Sequence, residues 1–501
     1  MRWELDWLDK RAKITPMSLA LVDAEQQTTR TYRELNIRCK KLADWLYEKG
    51  VRKGDRIALL SPNDISYFEL LFACGKIGAI FVPINWRLSL QEIHYILSDC
   101  APKLIGYHFS FKKTVNEKLF TDYETFQIEK EFLENRRIPA FKEEPLQEQD
   151  PLAIIYTGGT TGNPKGVVLS YQSILTNAIN TIISWNLTDE DITLTYLPLF
   201  HTGGLNALSI PILLAGGKVV IANDFDPVKA ITYLNHYQCT VVLFVPTMYH
   251  MIIETEEFKK NSFPSVKTFF SGGAPCPLEI YAAFKRKGLL FKEGYGLTEA
   301  GPNNFYIDPK IAQEKRGSVG KPMLFNEIKL VKADGTEAAV HEVGEILIQG
   351  KHSFAYYWEN EQATREVKKD GWIYTGDLAR KDDEGYFYIV GRKKDMIITG
   401  GENVYPLEVE HWIAAHPQID EVAVLGLPDS KWGEIVTAFL VVKGTVEPSE
   451  QELIHYCLKK LGKYKIPKKF IFVAQLPKTH VGKIDKKALK RFALEKKANF
   501  L

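Results

Sequence analysis

Short β-branched and apolar runs alternate with helix-like patterns through the first half of the chain. Arg56 to Leu60, Ala79 to Ile84, Leu104 to Tyr107, Leu152 to Tyr156, Val219 to Ala222, Thr240 to Val245 and Val266 to Phe270 read as strands. This alternation predicts βαβ units, and so an α/β fold of parallel-rich sheets flanked by helices. Phe68 to Ile80 is apolar on every side, which core packing alone explains, and no chemistry is expected there. Between Glu129 and Asp150 the chain turns charged and reads as a connector. From Gly344 the pattern becomes rich in strands and turns, predicting a β-rich subdomain. Beyond the charged run Arg392-Lys393-Lys394-Asp395, the strands Val422 to Leu425, Ala438 to Val442 and Lys469 to Val473 and the helix Glu450 to Leu461 supply a separate core. The expected organisation is a large domain over 1–391, a hinge at 392–395 and a small α+β domain over 396–501.

Composition narrows the function only modestly. A chain of 501 residues exceeds one compact core. A formal net charge of +2 gives no reason to expect nucleic acid as a partner. Six scattered cysteines form no C-x-x-C pair or metal-ligand spacing, so they read as reduced, buried thiols. The opening Met1-Arg2-Trp3-Glu4-Leu5-Asp6 has no apolar leader, and no run reaches the roughly 18 apolar residues of a spanning helix. These features predict a cytoplasmic protein with at most peripheral membrane contact. They leave its oligomeric state open, with a homodimer among the options.

Thr157-Gly158-Gly159-Thr160-Thr161-Gly162-Asn163-Pro164-Lys165-Gly166 follows the Leu152 to Tyr156 strand. Glycines let the backbone approach an anion, threonines add hydroxyl donors and Lys165 adds charge, so the run suits a phosphate loop. It is not a G-x-x-x-x-G-K-[ST] loop, because Gly166 follows Lys165. Taken alone, it could equally be a glycine-rich surface turn. Hydrolase signatures of the H-E-x-x-H and G-x-S-x-G kinds are missing from the sequence.

Five further words follow in order: Tyr295-Gly296-Leu297-Thr298-Glu299, Tyr374-Thr375-Gly376-Asp377-Leu378, Gly391-Arg392-Lys393-Lys394-Asp395, Gly400-Gly401-Glu402-Asn403 and Gly482-Lys483. With the loop, this series resembles the adenylate-forming superfamily, in its acyl-CoA synthetase and CoA ligase branch. The resemblance runs over essentially the whole chain. It implies that a carboxylic acid, ATP and CoA are the substrates and that Mg2+ assists.

The resemblance also implies roles. Thr157, Gly158, Gly159, Thr160, Thr161, Gly162 and Lys165 would wrap the β- and γ-phosphates. Glu299 would associate with magnesium and Thr298 would reach the α-phosphate. Tyr295 and Gly296, with Gly272, Gly273 and Ala274, would receive adenine, while Asp377 and Arg392 would meet the ribose. Lys483, on a mobile small domain, would bridge the substrate carboxylate and the α-phosphate. Lys394 would be the hinge, and Gly400, Gly401 and Trp432 would line the pantetheine and CoA path. One departure is Ile466, where an aryl-CoA ligase relative has a basic residue. His201 and Gly301 would line the acyl pocket, His201 as a lining and gating residue without a general-base role.

The doubled glycine Gly158-Gly159 and the small Gly301 favour a medium- or long-chain fatty acid. Aryl-acid or o-succinylbenzoate-type ligation is the alternative. Two other readings are a stand-alone adenylation protein that loads a carrier protein and a nucleotide-binding protein without catalysis. Retention of both Glu299 and Lys483 opposes the last.

Overall fold

The computed structural model describes residues 5–128, 145–158, 163–478 and 484–498. The expected α/β architecture is present, with a smaller domain at the C-terminal end.

A seven-stranded sheet runs in the order Tyr356–Tyr357, Lys165–Ser170, Pro151–Thr157, Ile80–Pro83, Arg56–Leu60, Leu104–Tyr107 and Glu124–Gln127. Its central strands pair in parallel, and Pro151–Thr157 turns back on Lys165–Ser170 as an antiparallel hairpin. The Ser66–Ile77 helix packs within the core on nearly every side. Even its Lys76 is buried, its ammonium paired with Asp6 at 2.7 Å. Burial without such a partner would cost several kcal/mol, on the order expected for a desolvated ion.

A second layer holds the Thr28–Thr31, Leu19–Asp23, Lys218–Ile221 and Ile192–Thr195 sheet beside three parallel strands, Val241–Phe244, Thr268–Ser271 and Phe291–Glu293. The β-rich part is a further seven-stranded, antiparallel sheet that includes Trp372–Lys381 and Phe387–Arg392. The small domain centres on the long hairpin Ile419–Asp429 and Gly433–Val442, with Lys469–Phe472 added in parallel. Its two apolar clusters draw only on residues from Ile397 onward.

All six cysteines are buried and free. Among the described residues, no helix is long and apolar enough to cross a membrane.

Candidate active site

Three parallel strands end at one edge, and the carboxyl ends of such strands form the customary ligand crevice of an open α/β sheet. The turns leaving Thr268–Ser271 and Phe291–Glu293 lie side by side, with the Gly294 N–H donating to the Ser271 carbonyl at 2.9 Å. This brings Ser271-Gly272-Gly273-Ala274 against Gly294-Tyr295-Gly296. The Tyr295 hydroxyl donates to Asp377 Oδ2 at 2.7 Å, and Arg392 Nε stands 3.0 Å from Asp377 Oδ1. Asp377 and Arg392 are direct cross-strand partners, which explains how one carboxylate and one guanidinium meet at fixed register. Asp377 is buried with charge-assisted partners on both oxygens, and burial together with this carboxylate pushes the Tyr295 phenol well above its ordinary range. The ring of Tyr295 is held edge-on to Phe305, with centroids 5.8 Å apart. A carboxylate and a half-exposed guanidinium beside an aromatic ring and a glycine-lined turn suit a nucleoside.

The hairpin of Pro151–Thr157 and Lys165–Ser170 holds the two ends of the phosphate loop opposite each other, Thr157 facing Lys165. Gly159, Thr160, Thr161 and Gly162 lie outside the described residues. Lys165 Nζ sits 5.1 Å from the centre of the Tyr357 ring, and the Tyr357 hydroxyl donates to Glu299 Oε1 at 2.8 Å. Tyr357 therefore links the loop lysine to the acid of the Thr298-Glu299 word. Sequence reasoning missed it, and the only signal was the aromatic triplet Tyr356-Tyr357-Trp358. Thr298 is buried beside Glu299.

Glu299 Oε2 has no hydrogen bond among the described residues, and no cluster there of three or more His, Cys, Asp or Glu could hold a metal. A single carboxylate suits Mg2+, which commonly takes one or two carboxylates and completes its shell with phosphate oxygens and water.

Glu293 is a second residue that sequence reasoning missed. It accepts from the Cys276 N–H at 3.0 Å and from the Tyr281 hydroxyl at 2.8 Å, fastening the segment after Gly272-Gly273 to the strand that enters Tyr295. Burial pushes its carboxyl up to about 7.

The Tyr171–Trp185 helix joins the segment that follows His201 to Gly301. Asn177 on that helix donates from Nδ2 to the Asn206 carbonyl at 2.7 Å, five residues beyond His201. Asn206 lies in a short π-helical turn, Leu205–Ser209, a distortion common at functional sites. Gly301 has φ +78°, and an added Cβ would lie 2.8 Å from His352 Cδ2 and 3.5 Å from Asn177 Oδ1. The missing side chain thus leaves room between an imidazole and an amide, both buried.

In the small domain, Gly400 has φ +59°, and its N–H donates to the Trp432 carbonyl at 2.9 Å. An added Cβ would fall 2.8 Å from the Trp432 ring. Lys468 Nζ stands 3.2 Å from the centre of that half-exposed ring. The expected pair of Gly400 and Trp432 therefore meets, flanked by a cation, and Gly401 follows at φ +86°. Lys394 is exposed in the short turn Lys393–Asp395. Lys483 lies outside the described residues.

The fold and these clusters define a nucleotide-dependent enzyme, and comparison with known proteins supplies its family. Residues 8–358 match the AMP-binding enzyme family and 408–483 match the AMP-binding enzyme C-terminal domain. The chain is 35% identical over 494 residues to a feruloyl-CoA synthase of Amycolatopsis sp, covering 97% of this chain and 98% of the relative. It is equally 35% identical to the long-chain-fatty-acid–CoA ligase FadD13 of Mycobacterium tuberculosis (strain ATCC 25618 / H37Rv), over 96% of this chain and 97% of that one. The o-succinylbenzoate CoA synthetase MenE from Bacillus subtilis, solved with its acyl-adenylate OSB-AMP, superposes with a TM-score of 0.87 at 33% identity, covering 97% and 98% of the two chains. A double mutant of the same synthetase, bound to the product analogue OSB-NCoA, gives 0.72 over a similar span.

The chain belongs to the AMP-binding, adenylate-forming enzymes. It is an acid–thiol ligase, an AMP-forming acyl-CoA synthetase that uses ATP with Mg2+ and takes CoA as co-substrate.

Proposed function

We propose that the reaction runs in two steps on the residues assembled above. The substrate carboxylate attacks the α-phosphorus of ATP and pyrophosphate leaves, giving an acyl-adenylate. The thiol of CoA then attacks the acyl carbonyl, its proton is released, and AMP departs with the C–O bonding pair. Two anions must meet in the first step, so fixed positive charge and oriented donors carry much of the catalysis.

Asp377 and Arg392 bind the ribose, and Tyr295 holds Asp377 in place while its ring borders the adenine site with Gly272, Gly273, Ala274 and Gly296. Thr157 to Gly162 with Lys165 bind the departing phosphates, and Thr298 approaches the α-phosphate. Glu299, steadied by Tyr357, leaves Oε2 for Mg2+, whose charge offsets that of the phosphates. Lys483 bridges the carboxylate and the α-phosphate. The single observation that carries the reading is the convergence of Tyr295, Asp377 and Arg392, distant in the chain, within hydrogen-bond and ion-pair distance.

Motion about Lys394, within 392–395, between the domains 1–391 and 396–501 exchanges Lys483 for the Gly400-Gly401 and Trp432 face. Two structures of one relative, the wild type with its acyl-adenylate and a double mutant with a product analogue, match this chain at TM-scores of 0.87 and 0.72, a difference in keeping with such an exchange.

The doubled glycine supports a medium- or long-chain fatty acid. The polar lining around Gly301 favours a compact acid bearing oxygen, as do relatives named for ferulate and 2-succinylbenzoate. Six free thiols support a cytoplasmic location.

The test is ATP–pyrophosphate exchange over aliphatic and aryl acids, repeated for thioester formation with CoA. Lys483→Ala is expected to lower exchange at least 100-fold while ATP binding stays within threefold. Full exchange in that variant refutes the role of Lys483, and exchange with no acid refutes the ligase reading.

A further inference from the structure

Around the contact between the Tyr171–Trp185 helix and the Leu205–Ser209 turn, buried polar atoms lack partners among the described residues. Asn177 is 3% exposed, Asn206 2% and Asn180 1%. Asn177 Oδ1, Asn206 Oδ1 and Asn180 Nδ2 are all buried and have no hydrogen-bond partner among the described residues. Leaving such an atom unpaired costs roughly 1–3 kcal/mol, so three in one region call for a ligand.

Their chemical sense is fixed by what each side chain already does. The Asn177 amide nitrogen donates to the backbone carbonyl of Asn206 at 2.7 Å, so its free atom is the acceptor oxygen. Asn206 donates from Nδ2 to Thr202 Oγ1 at 3.2 Å, again leaving an acceptor. Asn180 Oδ1 accepts the Phe325 N–H at 3.1 Å and the Ser184 hydroxyl at 3.2 Å, which leaves its amide as a donor. Asn177 and Asn180 stand three residues apart on one helix, spacing that makes side chains neighbours. A hydroxyl, with one donor and two lone pairs, pairs one of the two acceptors together with the donor. The three atoms match a carboxylate poorly, since two carbonyl oxygens would face its charge. A plain methylene chain would leave all three unpaired. The site is continuous with the nucleotide cluster, because Gly301 follows Glu299 by two residues and the Leu297 N–H donates to the Gly301 carbonyl at 3.1 Å.

We propose that the acid this enzyme activates carries a hydroxyl group on the part of the molecule remote from the reacting carboxylate, and that Asn177, Asn206 and Asn180 receive it. The inference rests on the ligase reading above and names the substrate class of the same site. In the bound state the hydroxyl donates to Asn177 Oδ1 or Asn206 Oδ1 and accepts from Asn180 Nδ2. A site built around a substrate hydroxyl rejects the analogue lacking it strongly, because its own polar groups then stay unpaired.

The experiment compares kcat/KM for CoA thioester formation within matched pairs: 3-(4-hydroxyphenyl)propanoate against 3-phenylpropanoate, and 8-hydroxyoctanoate against octanoate, with octanedioate as the anionic arm. The native enzyme is expected to favour the hydroxylated member of at least one pair by about tenfold or more. Asn177→Leu is expected to erase that preference, bringing the ratio of kcat/KM within each pair to about one whatever the absolute rates. Should Asn177→Leu be inactive on every acid, Asn206→Ser is judged by the same ratio. A native ratio near one or below in both pairs overturns the proposal, as does a preference for octanedioate, or an equal loss on both members in both variants. Absence of turnover with every acid would instead count against the ligase reading itself.

Discussion

Glu293 ties the segment after Gly272-Gly273 to the strand that enters Tyr295, and its carboxyl offers a direct test of that construction. Burial raises it from the ordinary 4.5 to about 7, with hydrogen bonds from Tyr281 and Cys276 pulling the other way. A folded-state value above the unfolded one means that the native protein binds more protons between those two values. Its contribution to stability is therefore present below about pH 4.5, falls as pH rises through that window, and is lost above about 7. At about 1.36 kcal/mol for each pH unit between the two values, the ionised side chain costs roughly 3 kcal/mol at pH 8.

Glu293→Gln removes this term and keeps the shape. Its amide oxygen can accept the Cys276 N–H, and its nitrogen can donate to the Tyr281 oxygen. Relative to native, the variant is expected to be near neutral at pH 5 and more stable at pH 8 by up to about 3 kcal/mol, roughly 4 °C in Tm for a domain of this size. The assay is thermal unfolding of both proteins from pH 4.5 to 8.5, read as their difference. Taking the difference matters because burial depresses His352 to about 4, which makes native stability rise with pH from about 4 to 6.5 and opposes the Glu293 slope. A difference that stays flat with pH, or a variant less stable at pH 8, refutes the account of Glu293. Glu293→Ala, which leaves the Cys276 N–H and the Tyr281 hydroxyl unpaired, should be destabilised throughout and raise the KM for ATP.

Two further outcomes follow from the site. Tyr357→Phe removes one hydrogen bond to Glu299 Oε1. At about 1.5–3 kcal/mol for a bond to a charged group, the Mg2+ concentration needed for half-maximal pyrophosphate exchange should rise by up to about ten- to 150-fold, and an unchanged requirement would sever Tyr357 from Mg2+ binding. Gly400→Ala drives a methyl into the Trp432 ring and strains a backbone at φ +59°. Thioester formation should fall about tenfold or more while pyrophosphate exchange stays within about threefold. Equal losses in both half-reactions would argue against a thioester-specific role.

The contrast between Asp377 and Glu293 shows where sequence reading stops. Asp377, Arg392, Tyr295 and Glu299 could be singled out because each sits in a short word that resembles a family word, although Asp377, read as a turn residue, lies within the strand Trp372–Lys381. That Asp377 and Arg392 meet as cross-strand partners also follows from their places on adjacent strands of a β-rich segment. Glu293 has no such word, since its function depends on Cys276 and Tyr281, which reach it only after three parallel strands have assembled. Asn177 was hidden for the same reason. On the Tyr171–Trp185 helix its polarity marks a solvated face, and only packing against Asn206 and Gly301 turns that face inward.

Element edges obey the same limit. Val422 to Leu425 proves to be the centre of an eleven-residue strand, Ile419–Asp429, because pairing with Gly433–Val442 extends order through the polar Asp420 and Glu421. The strand expected from Val266 begins instead at Thr268, because Val266 closes a turn onto the Phe263 carbonyl. Local pattern thus finds an element's apolar middle, while partners elsewhere in the chain decide its ends. In this protein the same division runs through the active site. The groups proposed to touch ATP lie in readable words, and those proposed to position them, or to select the acid, are set by contacts between segments far apart in sequence. Substrate choice should accordingly respond more to changes at Asn177 and Asn206 than to changes within the doubled glycine of the phosphate loop.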